Sequence, residues 1–196
     1  MVVDGIDGSG KNTAAQIIKE WYEERGVRTK IMAHPSARKC GKVARKALQS
    51  QGPLMRVIAS VFYIIDVLMS VSQLKKMKDQ DIAVIFVRYL MGTAYLPERF
   101  MGLGYDVFAK VLPISEAMVL IDVRPEIALK RIQSRPDVKE MFEDLGNLEK
   151  ARRKVLKLSE KGWRVLDNSN GNGELAIELS SILEDWESRS VTTFPR

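Results

Sequence analysis

Short runs rich in Val and Ile alternate along the chain with longer segments whose apolar positions recur every three or four residues. The short runs lie at 1–3, 29–32, 82–86, 118–121 and 164–166. They are brief, bounded and mostly apolar, which predicts parallel strands buried on both faces. The longer segments predict helices at 11–25, 41–49, 53–77, 125–134, 145–161 and 173–187. In the last of these, Leu175, Ile177, Leu179, Ile182, Leu183 and Trp186 read as one packed stripe. Repeated strand–helix alternation implies an α/β fold with a parallel sheet covered on both faces, a three-layer α/β/α arrangement. No linker, repeat or biased segment interrupts it, so residues 1–196 read as a single domain. The first strand is short, which leaves room for a start a few residues upstream.

The first strand runs directly into Gly5-Ile6-Asp7-Gly8-Ser9-Gly10-Lys11-Asn12-Thr13, close to G-x-x-x-x-G-K-[ST], with an amphipathic helix after it. Glycines permit backbone turns that side chains would forbid. Successive amides then point inward and hold phosphate oxygens, helped by the helix N-terminus. Asp7, Gly8, Ser9, Gly10, Lys11, Asn12 and Thr13 are therefore the candidate nucleotide-binding residues, with Lys11 as the mobile cation toward the outer phosphates. Position 12 departs from the pattern. Asn12 brings an amide where a hydroxyl would meet Mg²⁺, so it is a weak metal candidate. Thr13 lies about 100° further round the helix and should not substitute.

Charge and composition narrow the ligand. Lys and Arg number 31 against 25 acids, a net +6, which favours acidic partners. The basic residues are spread out, without the aromatic interleaving of single-strand binders, so phosphorylated small molecules fit better than nucleic acid. The longest apolar run, 57–71, is broken by Asp66 and serines, and neither a membrane span nor a signal peptide is expected. A lone cysteine, Cys40, cannot form an internal disulfide, and the expected compartment is the cytoplasm. One Cys and one His also exclude a zinc site of the usual kind. His34, before Pro35, reads as loop structure rather than a base.

The loop wording Gly5-x-Asp7-Gly8-Ser9-Gly10-Lys11-x-Thr13 resembles that of the thymidylate kinases. Weaker matches follow in order: His34-Pro35-Ser36 with Gly41 and Arg45; Val87-Arg88-Tyr89 with Gly92-Thr93-Ala94-Tyr95; and Ile121-Asp122-Val123 leading to Arg131 and Arg135. Glu140-x-Phe142-Glu143 and Leu148-Glu149-Lys150-Ala151-Arg152 follow. The resemblance covers nearly the whole chain. It implies a P-loop NTPase fold with a five-stranded sheet and a helical lid at about 133–146. It implies transfer of the ATP γ-phosphoryl, with Mg²⁺, to a nucleoside monophosphate such as dTMP, in a homodimer. Such transfer needs positioning and charge neutralisation more than covalent chemistry.

The resemblance also distributes roles. Lys11 and the lid arginines Arg131 and Arg135 would neutralise the transferring group, and Arg88 would hold the acceptor phosphate, with Arg45 as a second candidate. Asp7 would meet the sugar 3′-hydroxyl, or it braces the turn. Pro35 lies in the acceptor-site segment. Tyr63 would stack on the base, or it belongs to the core. Tyr95 would sit beside the sugar. Gly8 replaces an arginine found in some members.

Four positions depart from the family pattern: Asn12, Val87 for an acid, Val67 for a base-reading arginine, and Val155 for a tyrosine. Asn12 and Val87 affect one metal environment, while Val67 and Val155 affect acceptor choice. A second reading follows: a degenerate relative that holds nucleotide with weak or no kinase activity, or with an altered acceptor. A GTPase is disfavoured because no Asn-Lys-x-Asp motif is present.

Overall fold

A computed structural model describes residues 1–50, 52–77, 80–95, 98–134 and 143–192. Strands β1 (Val2–Asp4), β2 (Arg28–Ala33), β3 (Ile82–Val87), β4 (Met118–Asp122) and β5 (Arg164–Asp167) form one parallel sheet in the order β2-β3-β1-β4-β5. The expected five-stranded α/β architecture is what the chain adopts. Alternation in each strand sorts side chains between two cores. Val3, Ile85, Val87, Val119 and Ile121 face one side, where they meet α1 (Lys11–Glu23) and α7 (Asn172–Thr192). Val2, Phe86, Met118 and Leu120 face the other. There they meet α3 (Pro53–Lys76), α4 (Glu98–Val111), α5 (Pro125–Gln133) and α6 (Leu145–Ser159), while α2 (Lys39–Leu48) packs on α3.

Strand order also fixes where a ligand can sit. The chain leaves β1 for β2 on one side, and leaves β3 for β4 on the other. The loops after β1 and β3 therefore part at the carboxyl edge, and such a switch point opens a crevice.

Three features differ from the sequence expectation. Helix α4 follows a 3₁₀ turn at Met91–Tyr95 where no helix is predicted. Its buried side is carried by Met101 and Tyr105, and Gly102 and Gly104 dilute both the periodicity and the propensity. Ile177 does not join the α7 stripe but is 73% exposed, because two residues along a helix turn the side chain about 200°. Helix α3 is long and apolar enough to cross a membrane by length and composition, contrary to the reading of its broken run. Its inward side carries Ala59, Asp66, Val67, Ser70 and Val71, all buried in this domain.

Candidate functional site

The turn between β1 and α1 is built as a phosphate cradle. Gly10, just before α1, has φ 91° and Gly8 has φ 79°, both in the left-handed region open to glycine. A methyl at Gly8 would strike the Ala128 backbone at 2.5 Å, and one at Gly10 would lie 2.3 Å from Asn168 Nδ2. The first intrahelical bond of α1 runs from the Ala14 amide to the Gly10 carbonyl, 2.9 Å. The amides of Lys11, Asn12 and Thr13 thus form the open first turn that attracts anions. Asn168 braces the loop by donating to the Ser9 carbonyl at 2.8 Å. Arg131 reaches it from α5, donating to the Gly8 carbonyl at 3.3 Å and to the Asn168 carbonyl at 2.8 Å.

Lys11 is buried, with Nζ 2.9 Å from the Ile6 carbonyl and 3.3 Å from Asp7 Oδ1. Burial pushes its pKa down to about 8, and the nearby Arg88 cation adds to this; Asp7 and Asp4 pull the other way. Arg88 ion-pairs with the same Asp7 oxygen. One carboxylate therefore stands between a lysine from the cradle and an arginine from the end of β3. Asp4, fully inside, accepts from three backbone amides, those of Gly5, Tyr89 and Met91. Burial raises its pKa above 3.8, against the lowering effect of those amides and of Lys11.

Beyond Arg88 a cavity opens that is lined by Asp7, Pro35, Arg56, Tyr63, Arg88 and Val155 among others. Tyr63 projects from α3 and donates its hydroxyl to the Arg88 carbonyl; burial raises its pKa well above 10. The structure thus brings Asp7, Pro35, Tyr63 and Arg88 together. Arg45 does not line the cavity. It donates to the Pro35 carbonyl at 2.7 Å and so holds a residue that does. Tyr95 closes the 3₁₀ turn, and its side chain is not among those described. Arg135 and residues 136–142 of the expected lid lie outside the described residues.

His34 is more than loop structure. Its Nδ1 lies 3.3 Å from the Val87 carbonyl and its Nε2 2.8 Å from Ser70 Oγ. A carbonyl can only accept, so Nδ1 carries the proton and Nε2 accepts from the serine. Burial lowers its pKa below 6.5, opposed by Asp66 and the Val87 carbonyl. Asp66, 0% exposed, accepts from the Ser36 amide at 2.7 Å and from its hydroxyl at 2.6 Å, and pairs with Arg38. This network fixes the Pro35 turn to α3. Sequence reasoning passes over Asp4 and Asn168 and gives Asp66 no role beyond breaking an apolar run. The usable signal was position, a polar residue at the carboxyl end of a buried strand or inside an apolar helix.

The metal environment is poor in donors. Val87 is 1% exposed and packs in the core, so its side chain offers nothing to a cation. Asn12 is exposed on the first turn of α1. Asp122, at the end of β4, is taken by Arg152 in a bidentate pair of 2.8 and 2.7 Å. No cluster of three or more His, Cys, Asp or Glu suited to a metal occurs among the described residues. The phosphate cradle fits a nucleotide; the donor set does not fit a protein-held Mg²⁺.

The sequence model of thymidylate kinases matches residues 3–177. A thymidylate kinase from Leptospira borgpetersenii is 30% identical, covering 93% of this chain and 91% of its own. A probable thymidylate kinase from Archaeoglobus fulgidus is 28% identical over 95% of both chains. The solved structure of Candida albicans thymidylate kinase has the same fold, with a TM-score of 0.75 at 18% identity, covering 95% of this chain and 91% of that one.

Proposed function

The chain belongs to the thymidylate kinase family and is an ATP-dependent nucleoside monophosphate kinase; on that premise we propose that its acceptor is dTMP and its product dTDP. The observation that carries this is the continuity of the cradle, the Lys11–Asp7–Arg88 chain and the cavity beyond it. The triphosphate of ATP lies along Gly8–Thr13, with Lys11 and Arg131 countering charge on the group in flight. Arg88 takes the acceptor phosphate, a suitable task for a planar fork that is always charged. Tyr63 forms a wall for the base, and Asp7 is placed to meet the sugar. With phosphate charge met on both sides, alignment of donor and acceptor supplies much of the rate. Mg²⁺ would arrive on the nucleotide, held by phosphates and water. The setting is cytoplasmic, and residues 1–196 act as one domain.

We extend the proposal to a homodimer. Leu54, Val57, Val61, Ile65 and Leu68 are exposed at three- and four-residue spacing on α3, a stripe that a second copy would cover. Light scattering that gives only the 22.2 kDa monomer would sink this part.

A specific observation favours the second reading: a buried Val87 and an exposed Asn12 leave the metal without protein support. The test is a coupled assay with ATP, Mg²⁺ and each nucleoside monophosphate in turn. dTMP should be the best acceptor. ATP binding without turnover on any acceptor would establish the degenerate reading, and Val87→Asp with Asn12→Thr should then raise turnover.

A further inference from the structure

Arg88 is the only non-glycine among the described residues with positive φ, 56°. Such a backbone persists only where its surroundings impose it. Its backbone is held from both sides. Tyr63 donates to its carbonyl on the cavity side. Its own amide donates to the Val3 carbonyl at 3.2 Å, continuing the β1–β3 ladder by one residue. The chain then turns, and the next segment is held by a single side chain. Asp4 Oδ2 accepts from the Tyr89 amide at 3.0 Å and from the Met91 amide at 3.1 Å. Asp4 Oδ1 accepts from the Gly5 amide at 3.0 Å, where the cradle begins. Asp4 is 2% exposed, so water does not replace it readily.

We infer that Asp4 is a positioning residue for the acceptor side: by tying the turn after β3 to the start of the cradle, it sets the Arg88 guanidinium to receive the acceptor phosphate. This rests on the reading of Arg88 given above. The two sides of the site differ in what they require. Asp4 hydrogen-bonds none of the Gly8–Thr13 amides that would hold ATP, and its tie to that side is the charge it presents to Lys11. Loosening Asp4 should therefore cost acceptor binding selectively. Asp4→Asn keeps the volume but replaces one acceptor oxygen with a donor, which faces an amide and repels it.

The test is a double-mutant cycle on full-length protein: wild type, Asp4→Asn, Arg88→Ala and the double variant. Calorimetry gives the Kd of dTMP and, separately, of ATP. Asp4→Asn should weaken dTMP roughly tenfold or more, change ATP by a clearly smaller factor that reflects only the charge lost beside Lys11, and add little to the dTMP loss once Arg88 is gone, since coupled residues are not additive. Equal losses for ATP and dTMP, or the same loss with and without Arg88, would overturn the inference. If Arg88→Ala weakens dTMP and Asp4→Asn does not, only the positioning role fails. If Arg88→Ala leaves dTMP unchanged, or the wild type does not bind dTMP, the reading of the acceptor side fails and takes this inference with it. Should Asp4→Asn not fold, Asp4→Glu keeps both oxygens on a longer stem and should show the same selective, Arg88-dependent loss.

Discussion

Binding of ATP should draw a proton into the site, and the amount follows from Lys11. In the free protein its pKa is about 8, lowered chiefly by burial. Phosphate oxygens beside Nζ should restore it to at least the ordinary 10.5. The fraction of Lys11 that must be protonated on binding is then about 0.1 at pH 7, 0.5 at pH 8 and 0.9 at pH 9. Affinity for ATP should fall about tenfold between pH 7 and pH 9 through this group alone. Titration calorimetry at each pH, in two buffers with different heats of ionisation, reads the proton number directly. Lys11→Met should abolish the pH dependence as well as weaken binding. No proton uptake at pH 9, or uptake that survives in Lys11→Met, would refute the view that burial loads this lysine for phosphate.

Gly10→Ala should weaken ATP binding more than tenfold and lower the melting temperature, because its methyl meets Asn168 in a left-handed backbone. Gly26→Ala, with φ 77° and nothing within 4 Å, is the control: it should cost only the local strain, about 1–2 kcal/mol. Stability should fall as pH drops through about 6.5, because His34 has a folded-state pKa below that value and the unfolded chain takes the proton first. Urea melts from pH 5 to 8 should show the slope, and His34→Asn should reduce it, the buried amino terminus, with its pKa lowered to about 6, supplying the remainder.

The strands and the cradle were legible because their signals are local. A buried parallel strand must be a short apolar run, and a phosphate loop must place glycines and a lysine at fixed offsets. Arg88, Tyr63 and Pro35 were found through resemblance, and their convergence on one cavity depends on strand order, which periodicity does not carry. Helix α4 escaped because two glycines masked its four-residue spacing. Asp4 escaped for a different reason. As the third residue of a central strand it reads as an ordinary polar edge, and only folding brings Tyr89 and Met91 to its oxygens. His34 and Asp66 were likewise read singly, one as a loop residue and one as a break in an apolar run. Their value lies in meeting each other's neighbours across a long stretch of chain.

Asp7 pairs with two cations that, on the proposed function, would both later face anions. When a triphosphate claims Lys11, Asp7 can turn wholly toward Arg88 and compete with whatever that arginine should hold. When an acceptor phosphate claims Arg88 first, the lysine keeps its counter-ion. Each ligand therefore changes the electrical setting in which the other lands, and occupancy of the two halves is thermodynamically linked. A carboxylate shared between two cations would make this site sensitive to the order of arrival.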